Sequence, residues 1–360
     1  MTAGRLLLAG GALTVGLLWV GWPGGEREVI DEPVPEVEAT GGPLAMVAPH
    51  GPVEPLSRTA RPFPESREGI GGEDLRVFVQ DGRRRRIRLP LESVFLLPGA
   101  DVDLWIEGRR PADVSVTAEA GTVTRTDSAA WNWSPPESGG HADLVLTWAG
   151  SDTTVLRAFR LVPRDRVQNG RIGGYRIGSY PTRPLRGNPI YSPPRGFVRV
   201  TPANRDVRVS PHFVLGQFTS KQSTTFPKYE ILRPKLLLKL EMLLEALADR
   251  GYPVRSFHVM SGFRTPYYNV QVLGNGRYSR HQWGGAADIF VDESPKNGRM
   301  DDLNRDGRVD LRDIDVVADL VDRMEAEVVG FPVGGAGRYR ANQVRGPFVH
   351  VDVRGARARW

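Results

Sequence analysis

Hydrophobic and polar positions alternate in short stretches between residues 75 and 163. Gly, Pro and Asp separate the stretches, and each one is shorter than a typical helix. This pattern is typical of a small all-β, immunoglobulin-like sandwich, which we place at 71–165. The predicted strands are Leu75–Val79, Ser93–Leu97, Val102–Ile106, Val114–Ala118, Ala142–Trp148 and Thr154–Leu161.

The pattern changes in the last part of the chain, over residues 208–360. Leucines recur at helical spacing after Pro234, and Gly251 follows the run, which predicts a helix with one apolar face and a glycine cap. A second helix is predicted after Asp313, because apolar residues again recur at helical spacing. We therefore expect an α+β domain here, with strands at Val254–Met260, Asp288–Val291 and Phe348–Val353.

Three further segments complete the predicted organisation. Residues 1–23 have one positive charge and then a short apolar run, which indicates a signal peptide or a membrane anchor. Residues 24–70 are rich in Pro, Glu and Gly and predict a flexible linker. Residues 166–207 are rich in Gly, Pro and Arg and predict an ordered linker. We expect an exported protein of the periplasm or cell envelope, with the N-terminus as a candidate anchor to the inner membrane.

Composition and charge exclude some classes of site and of binding partner. The chain of 360 residues has no cysteine, which excludes disulfides, thiolate metal sites and cysteine nucleophiles. The net charge is +6, but the basic residues are spread along the chain, whereas a nucleic-acid-binding protein concentrates them on one element. The densest cluster, Arg83–Arg86, is expected at a solvated edge or hairpin, and the alternative is a site for an anionic partner such as a cell-wall polymer or lipid surface. We therefore predict no nucleic-acid partner.

Two sequence motifs contain candidate metal ligands. His281 and Asp288 are joined by small residues that permit a tight turn, and Asp288 begins a predicted strand. His350 and Asp352 alternate on another strand, so both side chains point to the same side. Two histidines and one aspartate would suit a zinc ion with one open coordination position. Spacing alone leaves open that each histidine is a core residue satisfied by a neighbouring aspartate.

These motifs, taken in order, resemble the zinc D-Ala-D-Ala metallopeptidases, which have the hedgehog/DD-peptidase fold. The similarity covers about 210–360, and the nearest branch is that of the exported murein endopeptidases. It rests on Ser261-Gly-Phe-Arg-Thr-Pro266, Asn269, the Ser-x-His-x-x-Gly-x-Ala-x-Asp stretch at 279–288, Phe348-Val-His-Val-Asp352 and the tail Arg357-Ala-Arg-Trp360.

The resemblance implies roles for individual residues. It implies that His281, Asp288 and His350 bind zinc, and that Arg264 binds a carbonyl or carboxylate of the substrate. Arg264 could instead form a structural salt bridge. Several members of the wider family carry an acidic residue, the usual general base, three positions before the last histidine ligand, where this chain has Pro347.

The identity of the general base therefore stays open. Asp352 is the best replacement, and its alternative role is to orient a ligand. His258 is a further candidate for the base, with a core histidine as the competing interpretation.

One insertion interrupts the resemblance, between the second and third ligands. Residues 302–313 fit a twelve-residue calcium loop of the dockerin or EF-hand type, with glycine at position 6. An acidic turn that caps the following helix is the alternative. We expect one structural calcium ion, bound by Asp302, Asn304, Asp306, Arg308 (through its backbone carbonyl), Asp310 and Asp313.

The sequence thus predicts a zinc metallopeptidase that hydrolyses peptide bonds of peptidoglycan stems or cross-links through a metal-activated water. The choices between D,D- and L,D-cleavage and between endopeptidase and carboxypeptidase stay open. Two alternatives also stay open: a non-catalytic peptidoglycan-binding scaffold with the same fold, and a zinc peptidase of protein substrates. Peptidoglycan is the expected partner, and the sequence indicates no obligate protein partner.

Overall fold

A computed structural model of the chain describes residues 75–80, 84–108, 114–138, 140–148, 153–274 and 278–360. The predicted signal peptide or anchor at 1–23 and the linker at 24–70 lie outside these residues. Among the helices that the structure does describe, none has the length and apolar character needed to cross a membrane.

Nine strands form the first part of the described chain. Each of the six stretches predicted from alternation contains a strand, which confirms those predictions. Arg84–Arg86 form an edge strand, in which Arg84 is exposed and Arg85 and Arg86 are half-buried. The nine are β1 (Leu75–Gln80), β2 (Arg84–Arg86), β3 (Leu91–Leu96), β4 (Val102–Gly108), β5 (Val114–Ala118), β6 (Thr122–Asp127), β7 (Ala130–Ser134), β8 (His141–Trp148) and β9 (Thr153–Pro163).

These strands form two sheets that share an apolar core. The first sheet has the order β2-β1-β4-β7-β6, and in the second β5, β8 and β9 are neighbours, with β3 parallel to β9. Alternation along the strands directs one face of each sheet inward. The shared core contains Leu104, Ile106 and Trp133 from the first sheet and Leu144 and Leu156 from the second.

Twelve further elements follow β9. They are β10 (Arg171–Ile172), β11 (Tyr175–Arg176), β12 (Gly196–Val200), β13 (Lys228–Glu230), α1 (Pro234–Ala248), β14 (His258–Ser261), α2 (Pro266–Leu273), β15 (Ala286–Phe290), α3 (Leu311–Glu327), β16 (Gly335–Tyr339), β17 (Phe348–Asp352) and β18 (Ala358–Arg359). Both predicted helices are confirmed as α1 and α3. The predicted strand at 254–260 is shorter at its beginning, since β14 starts at His258.

The segment 166–207 contributes to the second sheet. Its strand β12 pairs with the end of β9, and β13 pairs with β12, so the order of that sheet is β13-β12-β9-β8-β5. The Ser93 hydroxyl donates to the Val209 carbonyl at 2.7 Å. Phe159 of β9 belongs to the same apolar cluster as the helices after residue 208. Sheet and core therefore continue from the sandwich into the C-terminal region.

The C-terminal sheet, with the order β14-β15-β17-β16-β18, packs against α1 and α3. Lys239 of α1 is fully buried among these elements. Its ammonium donates to Glu325 of α3 at 3.1 Å and to the Asp352 carbonyl of β17 at 3.0 Å. Because a buried ammonium requires such partners, this residue fixes both helices against the strand that contains His350.

Candidate metal centre

Neighbouring strands bring Asp288 and His350 together. β15 and β17 are antiparallel, and Asp288 lies directly opposite His350 in their register. On the other side of β15, Ser261 of β14 lies opposite Asp288. Side chains of opposite residues point to the same face of a sheet, so the strand pairing by itself places a carboxylate beside an imidazole.

His281 reaches the same point from a short turn before β15. Residues Arg280–Trp283 form a 3₁₀ turn, and the Ser279 hydroxyl accepts a hydrogen bond from the His281 amide at 3.4 Å. Gly284 ends the turn with φ of 63°, and a Cβ there would lie 2.2 Å from the Ile231 carbonyl oxygen. A larger residue at Gly284 would therefore displace the turn and His281 with it.

The three predicted ligands converge on one point. His281 Nε2 lies 3.3 Å from Asp288 Oδ1 and 3.2 Å from His350 Nδ1, and the latter lies 2.9 Å from the same carboxylate oxygen. All three residues are buried. Within the described ranges, this is the only group of three or more His, Cys, Asp or Glu whose ligand atoms approach within 4.8 Å of one another.

Hydrogen bonds on the outer side of each ring set the tautomers. His281 Nδ1 donates to the Gly262 carbonyl at 2.6 Å, which leaves the Nε2 lone pair directed at the group. His350 Nε2 lies 3.3 Å from Asp352 Oδ2, which leaves its Nδ1 lone pair directed at the same point. Two lone pairs and an anionic oxygen repel one another at these distances unless they share a cation.

The group fits a bound metal ion. Bonds of about 2.0–2.2 Å place the donor atoms of a tetrahedral zinc site roughly 3.3–3.6 Å apart, close to the separations found here. Two imidazoles and a carboxylate form a donor set that divalent zinc accepts, and three protein ligands leave a fourth position open. The structure therefore brings together a group that could hold a metal ion.

The surroundings of the group keep Asp288 and His281 deprotonated, as metal ligands must be. Burial alone would raise the pKa of Asp288, but its histidine neighbours and the charge of the Arg264 guanidinium hold that pKa well below its usual range. Burial, together with the Arg264 charge, lowers the pKa of His281. Because metal ligands must be deprotonated, both shifts favour metal binding at neutral pH.

Arg264 is buried beside the ligand group. Its Nη2 donates to Asp288 Oδ2 at 2.6 Å, and its Nε donates to the Ser261 hydroxyl at 2.9 Å. This ion pair fixes the carboxylate so that Oδ1 faces the histidines. Within the described residues, Nη1 of Arg264 has no hydrogen-bond partner, so one edge of the guanidinium is available to another acceptor.

Asp352 lies behind His350. It is fully buried, accepts hydrogen bonds from Nε and Nη2 of Arg354, and accepts one from the Gly335 amide at 2.9 Å. The His350 ring stands between Asp352 and the other donor atoms, since Nε2 faces Asp352 and Nδ1 faces Asp288. Of the two roles considered for Asp352, this arrangement favours the orientation of a ligand.

His258 lies outside the ligand group, on β14. Its ring stacks on Phe290 with a centroid distance of 4.4 Å, and its Nδ1 is 3.6 Å from Asp292 Oδ2. The side chain is 40% exposed, so it is not a core histidine. Burial lowers the pKa of His258, with the Lys221 charge acting in the same direction.

The predicted calcium loop forms a compact turn. Asp302 accepts hydrogen bonds from the amides of Asp306 and Gly307, and Asp313 accepts from the amides of Leu303, Asn304 and Asp310. Asp310 caps α3 through the Arg312 amide at 2.8 Å. Arg308 donates its amide to Asp306 at 3.0 Å. Among the described residues, no three carboxylates of this loop have oxygen atoms that all lie within 4.8 Å of one another, as the ligand atoms of His281, Asp288 and His350 do.

The sequence analysis assigns no role at the metal group to Trp360, Tyr339 or Gly337, although Trp360 belongs to the tail on which the resemblance rests. Trp360 packs against the His350 ring at 5.3 Å and donates through its indole N–H to the Tyr339 hydroxyl at 2.8 Å. Gly337 lies opposite His350, and a Cβ there would lie 2.5 Å from the indole. The run Gly334-Gly335-Ala-Gly337 was the only signal of this close approach in the sequence.

Comparisons of the chain with protein-family models, with curated proteins and with solved structures give no match.

Proposed function

We propose that the protein is a zinc metallopeptidase of peptidoglycan, with the hedgehog/DD-peptidase fold in its C-terminal region. The observation on which this rests is the convergence of His281 Nε2, Asp288 Oδ1 and His350 Nδ1 within hydrogen-bonding distance of one another. His281 and Asp288 come from one segment and His350 from another that is distant in sequence. A structural histidine–aspartate pair would need only one of these segments. The ordered motifs at 261–266, 279–288 and 348–352 support the choice of family.

Each residue would have a definite role in hydrolysis. When bound, zinc acidifies water to give a nucleophile at neutral pH and polarises the scissile carbonyl. His281, Asp288 and His350 hold the ion, and Asp352 fixes the His350 ring in the tautomer that binds it. Arg264 holds the Asp288 carboxylate through Nη2, and its Nη1 group would be the donor for the oxygen that becomes negative during amide hydrolysis.

The proposal includes one structural calcium ion in the loop at 302–313. The loop keeps the spacing of oxygen-bearing side chains that calcium requires, and Gly307 has the positive φ of 82° expected at its sharp turn. The ion would bind at the beginning of α3 and fix the insertion. We also propose an exported location in the periplasm or cell envelope, on the basis of the sequence pattern at 1–23.

A non-catalytic peptidoglycan-binding scaffold is the second candidate. Pro347 occupies the position of the family's acidic base, and Asp352 is already engaged by Arg354 and by the ring of His350. A protein that retains zinc and the fold but lacks a base would bind the cell wall without cutting it.

Purified protein incubated with isolated sacculi tests the proposal. A peptidase releases soluble muropeptides, and the release stops with a chelator and in His281→Ala. His212→Ala is the matched control, because this histidine is 52% exposed and lies outside the metal group. Binding to sacculi without release would establish the scaffold instead. Release from a panel of unrelated proteins, with none from sacculi, would establish a peptidase of protein substrates.

A further inference from the structure

A groove opens beside the metal group. It has a volume of about 780 Å³ and lies between the segments 294–302 and 341–347. Its lining includes His258, Met260, Phe290, Arg299, Val344 and Arg345. The segment 294–302 leads directly into the insertion at 302–313, so this wall belongs to the part of the chain that interrupts the family motifs.

The floor of the groove continues the sheet face that contains the ligands. Phe290 lies two residues beyond Asp288 on β15, about 7 Å along the strand and on the same face. The register that pairs Asp288 with His350 places Phe348 at the corresponding position of β17. His258 lies opposite Phe290 on β14. A chain that passes from the metal group along this face therefore enters the groove.

Arg345 is held at the edge of this groove by its own turn. The Asn342 side chain accepts hydrogen bonds from the amides of Val344 and Arg345 at 3.0 and 2.9 Å. The guanidinium lies over the Phe348 ring at 4.4 Å, and that ring stacks on Tyr339. Aromatic stacking fixes the plane of a guanidinium while leaving its N–H groups free at the edges.

Arg345 has no carboxylate partner within the described part of the chain. Among the residues that the structure describes, no ion pair or side-chain hydrogen bond involves its guanidinium, although its charge interacts with Asp288 and Arg264 of the metal group. The exposed Arg299 on the opposite wall likewise has no ion pair among the described residues.

The acidic residues of the groove are already engaged. Asp301 accepts hydrogen bonds from the amides of Glu293 and Ser294 at 2.8 and 3.0 Å. Asp302 accepts from the amides of Asp306 and Gly307 at 3.2 and 2.7 Å. The cationic groups of the groove that no described carboxylate engages are therefore the guanidinium groups of Arg299 and Arg345.

We propose that this groove binds a carboxylate-bearing segment of the substrate, and that Arg345 pairs with that carboxylate. The proposal rests on the proposed function and adds a substrate class, an acidic peptide whose carboxylate lies near the bond that is cut. Arg345 is then a specificity-determining residue, distinct from Arg264, which faces the bond itself. Stacked on Phe348, its guanidinium presents two parallel N–H groups, a geometry that matches a carboxylate.

Two defined muropeptides test the proposal. They differ only in whether the side-chain carboxylate of the residue next to the cleaved bond is free or amidated. A charge-assisted pair predicts that the zinc-loaded wild type has a KM for the free acid lower by on the order of 10- to 100-fold. Arg345→Gln should raise the KM for the free acid toward the KM for the amidated peptide, and it should leave kcat and the KM for the amidated peptide nearly unchanged. Arg345→Lys should keep part of the preference for the free acid.

Arg323→Gln is the matched control, because Arg323 is exposed on α3 and does not line the groove. It should keep the wild-type preference. If wild type and Arg345→Gln show the same ratio of KM values, the groove proposal is overturned while the peptidase proposal stands. If the wild type cuts neither peptide, the peptidase proposal fails. In that case, calorimetry of the binding of the same two peptides tests the groove proposal separately. Tighter binding of the free acid that is lost in Arg345→Gln supports the proposal, and equal binding of the two peptides overturns it.

Discussion

The substitution Asp352→Asn separates the two roles that the sequence left open for this residue. In the structure, Asp352 Oδ2 faces His350 Nε2 at 3.3 Å and accepts hydrogen bonds from Arg354. An amide has only one acceptor oxygen. If that oxygen stays on Arg354 and Gly335, the NH₂ group faces the ring nitrogen, and His350 can keep a hydrogen bond only in the tautomer that carries its proton on Nδ1. That tautomer cannot bind the metal.

The expected effect is therefore a weaker zinc site. Loss of a partner that orients a metal-bound histidine typically reduces affinity by about 10- to 100-fold. This corresponds to about 1.4–2.8 kcal/mol of binding free energy. The metal-free protein should also lose roughly 1–3 kcal/mol of unfolding free energy, because the partly buried Arg354 guanidinium loses a charged acceptor. Hydrogen bonds from His350 and Arg354 overcome burial and hold the pKa of Asp352 well below its usual range, so both losses persist across neutral pH.

Competition with a chromogenic chelator measures the zinc affinity, and thermal unfolding of the metal-free protein measures the stability. Asp322→Asn is the matched control, since Asp322 pairs with Arg357 and Arg359 in the same tail but does not touch a ligand. Its zinc affinity should equal that of the wild type. If Asp352→Asn kept wild-type zinc affinity while kcat fell, Asp352 would be the general base and the orienting role would be refuted.

Three further substitutions test other parts of the structure. Glu230 is fully buried, and its carboxyl group has no hydrogen-bond partner among the described residues. Burial raises its pKa well above the usual value. As pH rises, the unfolded state therefore releases a proton that the folded state still holds, and the folded state loses stability. Glu230→Gln should consequently raise Tm more at about pH 7.5 than at about pH 5, and an equal change at both pH values would contradict this account. Asp306→Ala should remove calcium and keep zinc, as mass spectrometry of the metal content would show; loss of both ions would mean that the loop is not an independent site. Gly337→Ala should displace the indole of Trp360 and cost about 1–3 kcal/mol of stability, with a change in tryptophan fluorescence, whereas Gly346→Ala, where a Cβ meets no atom within 4 Å, should change neither.

The parts of the site that the sequence predicts are those encoded by local pattern. Apolar spacing is sufficient to locate α1 and α3, because a helix buries one face whatever it packs against. The small residues between His281 and Asp288 similarly predict a turn followed by a strand, and alternation places His350 and Asp352 on one side of a strand. These inferences require no knowledge of the rest of the chain.

The remaining features depend on partners that are distant in sequence. β16 reads Gly-Ala-Gly-Arg-Tyr, a poor strand by propensity, because its glycines make room for Asp352 and the indole of Trp360. β12 lies in a segment rich in Gly, Pro and Arg, and only its pairing with β9 makes it a strand. The orientation of Asp352 behind His350 is equally a product of packing, since alternation fixes the side of the strand and not the order of the groups on it.

The strand β9 has a consequence for how the molecule unfolds. Its residues Thr153–Pro163 pair with β8 and β3 along one part and with β12 along another, and Phe159 enters the core under the helices. A break in the chain between 165 and 208 would separate β12 from half of its ladder and open that core to water. Heating should therefore melt the β-rich and helical regions in a single calorimetric peak, and the C-terminal region excised at residue 208 should not survive as an autonomous folding unit.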